Sequence, residues 1–181
     1  MLLLLATGCG DDLPGPPAEQ EVVPITAYHG LNGDNAWTWR DDGDTGEPDP
    51  DELLKAQLDD GVMDIRRGSR WVDGRKEGIL EWSTDGGLYL ERWDINGEYG
   101  EGPLPFLVDG TSWGSAVAEG DWLCSNEKST SAETWYAVFP DAVVFTCKGE
   151  SGLGGTWTFA QGYGLVAVDA DSILLDLVAA W

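Results

Sequence analysis

Hydrophobic and polar positions alternate along this chain in short runs, punctuated by glycine, aspartate and asparagine. Ala36-Trp37-Thr38-Trp39-Arg40 puts two indoles on one face of a strand, because successive side chains point to opposite sides. Further strands are predicted over residues 63–72, 79–83 and 88–95. They are separated by Asp73-Gly74 and Asp85-Gly86-Gly87, and the last ends at Asn96-Gly97. Asp-Gly and Asn-Gly supply the positive φ angles that tight hairpins need. Glycine and proline crowd residues 97–105, which read as a longer loop. Strands follow over 111–118, 122–127, 134–139, 142–147, 156–159 and 164–168. Val143, Phe145 and Cys147 share one face.

Two segments depart from this rhythm. Asp49-Pro50-Asp51-Glu52 has the form of a helix start, with Leu54 and Leu58 on one face and Gly61 as its stop. The pattern therefore predicts one short helix near 50–58. Residues 172–181 fit both templates: Ile173, Leu175 and Leu177 alternate, while Ile173, Leu174, Leu177 and Val178 also line a helix face. A strand is expected there, since the preceding elements are β. The fold class is all-β, or mainly β: a single antiparallel curved sheet, half-barrel or barrel-like, with a sandwich as the alternative closure.

The chain opens Met1-Leu-Leu-Leu-Leu5-Ala-Thr-Gly-Cys9. Apolar residues, then small ones, then cysteine resemble the lipobox of bacterial lipoproteins, in which the cysteine carries lipid and begins the mature chain. On that resemblance residues 1–8 are a signal peptide and Cys9 is the lipidation site. Residues 9–24 are rich in proline and acid and read as a tether, reaching on the order of 40–50 Å when extended. Residues 25–181 form one β-rich domain. The expected location is the cell envelope, lipid-anchored, in the outer membrane of a Gram-negative bacterium. With Cys9 lipidated, Cys124 and Cys147 are left to pair as a disulfide in an oxidising compartment, stabilising the fold by roughly 3 kcal/mol. Two buried thiols are the alternative.

Charge narrows the partners. Thirty-three acidic residues against ten basic ones give a net charge of −23. Nucleic acid is excluded as a partner by the lack of a phosphate-neutralising surface. Membrane contact is expected through the lipid anchor, and the open ligand classes are lipid, glycan and protein.

Tyr28-His-Gly-Leu31-Asn-Gly33-Asp-Asn35-Ala-Trp37-Thr-Trp39 resembles the opening of a loose, mostly uncharacterised group of secreted bacterial lipoproteins with a G-N-x-W-x-Y-type strand. Trp157-Thr-Phe159-Ala160-Gln-Gly162-Tyr-Gly164-Leu165-Val166 is similar to that group's closing F-A-x-G-x-G-L-V strand pair. The resemblance implies an open, curved antiparallel sheet on the cell envelope and lends no catalytic residues.

Candidate chemistry is sparse. His29 is the single histidine, so a histidine metal site is excluded and a Ser-His-Asp triad would depend on it. Glu81 and Glu91, on neighbouring strands, are the pair of carboxylates a glycosidase would use. Asp42 and Asp44 resemble the start of a calcium loop, but Thr45 stands where the third acidic ligand belongs. A solvated acidic loop is the expectation there, with no cofactor and Ca²⁺ as the weak alternative. Tryptophan is the unusual resource, with ten in the chain. Trp37, Trp39, Trp82 and Trp157 lie in apolar alternation and are expected in the core. Trp71, Trp93, Trp113 and Trp122 are flanked by polar residues and are the candidates for an open ligand-binding face. The expected function is a non-enzymatic envelope lipoprotein whose β domain binds an apolar ligand or a protein partner. The alternatives are a carbohydrate-binding or glycoside-cleaving module, and a purely structural envelope protein.

Overall fold

The computed structural model describes residues 21–28, 30, 36–40, 47, 49, 53–68 and 74–180. Cys9, His29, Asp42, Asp44 and Trp71 lie outside the described residues, as do residues 1–8, expected as a signal peptide, and residues 9–20 of the expected tether. One short helix, α1 (Ile25–Tyr28), follows Pro24. The strands are β1 (Ala36–Arg40), β2 (Leu54–Asp59), β3 (Val62–Arg67), β4 (Arg75–Ser83), β5 (Gly87–Ile95), β6 (Glu98–Val108) and β7 (Ala116–Glu119). They continue with β8 (Trp122–Ser129), β9 (Ala132–Glu133), β10 (Val138–Phe139), β11 (Ala142–Lys148), β12 (Gly155–Ala160), β13 (Gly164–Ala170) and β14 (Ile173–Ala180).

Twelve of these strands form one antiparallel sheet, in the order β6-β5-β4-β3-β2-β1-β14-β13-β12-β11-β8-β7, while β9 and β10 make a separate hairpin. The sheet curls until β6 lies alongside β7 and β8, which makes it a nearly closed barrel. The Trp122 indole donates across that seam to the Pro105 carbonyl at 2.9 Å. The first and last strands pair in the middle of the sheet, with Trp37 opposite Ala180 and Arg40 opposite Asp176.

A twelve-stranded ring encloses a wider bore than an eight-stranded one, which side chains just fill. Here tryptophan and phenylalanine fill it. Trp82 on β4 meets Trp157 and Phe159 on β12 at 6.0 and 5.7 Å. Phe106 on β6 meets Phe145 on β11 at 5.6 Å. β4 and β12 stand on opposite walls, which therefore touch through their rings, while β6 and β11 flank the seam. Val23 and Tyr28 are buried over one end. The void between Val23, Tyr28, Leu107 and Phe145 is too small to admit a water molecule. At the far end Asn96 donates to the Ser172 carbonyl at 2.8 Å, drawing the β5–β6 turn across the mouth. The four tryptophans expected in the core are all buried.

Several expectations are corrected. Residues 54–58 form no helix. Leu54, Ala56 and Leu58 are buried while Lys55, Gln57 and Asp59 point outward, a period of two that the spacing of Leu54 and Leu58 also satisfies. Gly61, read as the helix stop, is the second residue of an Asp60-Gly61 hairpin turn with φ of 47° and 80°. Residues 98–108 are a strand, not a loop. As β6 ends the sheet, its outer side makes no ladder, so Pro103 and Pro105 cost it nothing there. Residues 134–139 are not one strand but the turn and second strand of the β9–β10 hairpin. The final segment is a strand, with Ile173, Leu175 and Leu177 buried.

Cys124 and Cys147 are disulfide-bonded, and they face each other directly across β8 and β11. Both are buried, on the inward face.

Candidate functional site

The expected indole face is not formed by the residues named for it. Trp122 is 1% exposed and Trp93 4% exposed, so neither offers a ring to a ligand. Polar neighbours misled here because on a strand the flanking residues lie on the opposite face. The Trp93 ring lies over Gly100, where any Cβ would overlap it. Trp113 is partly buried, between Tyr28 (5.9 Å, edge to face) and the Lys128 ammonium (5.6 Å from the ring). The carboxylate pair is also compromised: Glu81 is bridged to Arg92 at 2.9 Å. Among the described residues, no group of three or more His, Cys, Asp or Glu is placed to hold a metal.

The exposed aromatics gather elsewhere. Between β8 and β11 the chain makes the β9–β10 hairpin, whose tip is Trp135-Tyr136. β13 and β14 pair only from Ala167–Asp176 to Ala170–Ile173. Beyond that point the Leu177 carbonyl accepts instead from the Tyr136 amide at 2.9 Å. The hairpin tip is thus stitched to β14 where β13 leaves it. The Trp135 amide donates to Asp176 Oδ1 at 3.2 Å, and Asp176 Oδ2 receives Arg40 Nε at 3.1 Å. The Arg40 guanidinium lies 4.9 Å from the centre of the Trp135 ring. This cover explains why Thr38 and Arg40, on the polar face of β1, are buried along with Trp37 and Trp39.

Phe139 anchors the hairpin from below, 5.0 Å from Tyr163 and 6.5 Å from Tyr136. Tyr163 belongs to the β12–β13 turn, and its carbonyl accepts from the Trp37 indole at 2.8 Å. The result is a contiguous surface patch of Trp135, Tyr136, Val138 and Tyr163, exposed by 44, 44, 58 and 40%. Their backbones are held by β14 and the turn, so the rings are presented on a fixed frame. Tyr136 and Tyr163 are inclined at 57°, not coplanar.

The patch borders the end of the barrel where the chain enters. The Gly162 amide donates to the Ala27 carbonyl at 3.0 Å. Nearby, Tyr28 Oη donates to Asp141 Oδ1 at 2.5 Å. Burial, aided by this hydrogen bond to the Asp141 carboxylate, pushes the Tyr28 phenol well above its usual range. The segment before α1 is tied down as well: Val23 N donates to the Thr111 carbonyl at 3.0 Å, and Trp113 N to the Glu21 carbonyl at 3.1 Å.

Sequence reading missed Trp135 and Tyr136 because they sit in an apolar run that fits a strand, and Tyr163 because it falls in the turn between two predicted strands. Two open clefts lie elsewhere. One, of about 760 Å³, is lined by Gln57, Asp59, Asp60, Asp64 and Glu81. The other, of about 500 Å³, is lined by Thr146, Lys148, Gly154, Asp169 and Asp171. Compared with family models, curated proteins and solved structures, the chain matches none.

Proposed function

We propose that this chain is a lipid-anchored cell-envelope protein, not an enzyme, whose β domain binds a protein partner with its outer surface. The observation that carries the reading is the division of the aromatics. Inside, Trp82 meets Trp157 across the bore, and the void beside Val23 and Phe145 is too small for a water molecule. Of the exposed rings among the described residues, Trp135, Tyr136 and Tyr163 form one patch next to Arg40, while Tyr99 stands apart. Tryptophan, tyrosine and arginine are the residues that dominate the energetics of protein interfaces. A sugar platform is supported less well, because Tyr136 and Tyr163 are not coplanar and one face of Trp135 meets Arg40. The lipobox-like start and the acidic, proline-rich residues 9–24 support the anchor and the tether.

The test is photo-crosslinking in the envelope. A photoreactive amino acid at Tyr136 or Tyr163 is expected to give discrete adducts of protein mass. The same label at Tyr99, 65% exposed at the far end, is expected to give none. Absence of adducts from the patch, or an identical pattern from Tyr99, sinks the reading.

A further inference from the structure

The outer wall of the barrel carries a groove at the end away from the aromatic patch, and the sheet register fixes its plan. On the outward face Thr146, Thr156 and Asp169 stand opposite one another across β11, β12 and β13. Two residues nearer that end, about 7 Å along the strands, come Lys148, Gly154 and Asp171. The Asp171 amide donates to the Gly154 carbonyl at 2.9 Å, which keeps this second row in step. Its middle place is glycine, so no side chain stands between the lysine and the aspartate. A Cβ at Gly154 would lie 3.2 Å from Asp171 Oδ2 and fill that space. The opening that results is the cleft of about 500 Å³.

Thr146, Lys148, Thr156, Asp169 and Asp171 all line the cleft and are exposed. None of these five side chains has a hydrogen-bond or ion partner among the described residues. Lys148 pairs with neither carboxylate: its strand and theirs are two spacings, about 10 Å, apart. Opposite charges are thus held on opposite sides of a glycine floor, neither neutralised by the other.

From this we infer that the groove binds a small zwitterion, an amino carboxylate whose ammonium meets Asp169 and Asp171 and whose carboxylate meets Lys148. The threonine hydroxyls, able to donate or accept, serve either group. The two signs of charge select this class. A plain anion would be repelled by the two carboxylates, and a plain cation would be repelled by the lysine. A divalent metal would lack ligands, since no group of three or more His, Cys, Asp or Glu is placed to hold one among the described residues. A sugar would find no aromatic ring in the lining on which to stack. A zwitterion offers each wall its complement through charge-assisted hydrogen bonds, the stronger kind. The groove shares no residue with the aromatic patch, so the inference goes beyond the protein-binding reading and does not rest on it.

The experiment uses the full chain carrying Cys9→Ser, isotope-labelled for NMR. It is titrated with β-alanine and with the two halves of that molecule, propionate and propylamine. The amide shifts of Gly154, Gly155 and Thr156 report the groove. β-Alanine is expected to saturate them at least about tenfold more tightly than either half. Lys148→Met and Asp171→Asn are each expected to weaken it at least about tenfold. Both side chains are exposed, and the unperturbed remainder of the spectrum confirms an intact fold. Gly154→Ala keeps every charge while filling the floor, and is expected to weaken binding in the same sense.

Equal affinity for propionate would make the groove a simple anion site, and equal affinity for propylamine a simple cation site; either overturns the inference. So do shifts that spare Gly154–Thr156, affinity unchanged in all three variants, or no saturable shift from β-alanine. Failure on any of these counts leaves the protein-binding reading standing, because its crosslinks come from Tyr136 and Tyr163.

Discussion

Trp82 and Trp157 make a matched pair for testing how this interior is held. Both are buried, and their rings meet at 6.0 Å in the middle of the barrel. Their indole N–H groups differ. Trp157 Nε1 donates to the Leu153 carbonyl at 3.1 Å, whereas Trp82 Nε1 is buried with no hydrogen-bond partner among the described residues. Changing either residue to phenylalanine removes similar packing, costing about 1–2 kcal/mol. Trp157→Phe also breaks the hydrogen bond and leaves the Leu153 carbonyl buried without it, adding about 1–3 kcal/mol. Trp82→Phe removes a donor that folding had stripped of water, returning about 1–3 kcal/mol. The two variants should therefore differ by at least about 2 kcal/mol, or about 4–8 °C in Tm for a domain of this size. Urea unfolding followed by far-UV circular dichroism avoids the spectral change that losing an indole brings. Equal denaturant slopes would confirm that the same surface unfolds in both. If Trp157→Phe proves no more destabilising than Trp82→Phe, the hydrogen bond contributes nothing and the reasoning fails.

Removing the disulfide with the double change Cys124→Ala/Cys147→Ala should cost roughly 3 kcal/mol, given a sequence separation of 23. Reducing and non-reducing melts of the wild type should differ by about 6–12 °C. Tyr28 has a folded pKa above its unfolded one. Its contribution is thus fully present below the ordinary phenol range near about 10 and is lost as pH rises beyond it. Tyr28→Phe should flatten the alkaline limb of a stability–pH profile, and an unchanged limb would refute the role of the Tyr28–Asp141 contact. Gly100→Val forces the Trp93 ring off the strand and should cost about 1–3 kcal/mol by overpacking, read from the urea midpoint.

The sequence carried the sheet but not all of its bookkeeping. Turns at Asp85-Gly86 and Asn96-Gly97 were legible because their backbone demands are local: Asn96 has φ 52° and Gly97 φ 86°. Position in the sheet is not local. Residues 97–105 read as a loop because proline and glycine oppose an inner strand, and nothing nearby says that this strand is an edge. Leu54 and Leu58 satisfied two periods at once, and Gly61, in the turn that decides between them, was read as a helix stop. The site was harder still. Trp93 and Trp122 have polar neighbours yet point inward, while Trp135 and Tyr136 sit in an apolar run and point outward. Which face of a strand is covered depends on the β9–β10 hairpin folding back onto β1 and β14, a contact between segments far apart in the chain.

The pairing of β1 with β14 bears on how the barrel comes to exist. Each half of the large sheet is a run of neighbours, β1 to β6 and β7 to β14, and among the described strands the two halves are laddered together through the first and last. During synthesis the N-terminal half must therefore wait, one edge of its first strand unpaired, until residue 180 has emerged. Contacts so distant form late and slowly. An unpaired apolar strand edge is an invitation to aggregate in the meantime. Deleting β14 would not trim the barrel at a margin; it would split it through the centre, leaving two half-sheets with fresh edges. For this architecture the last strand is the keystone, and loss of the final few residues should send the protein to inclusion bodies sooner than it weakens any binding site.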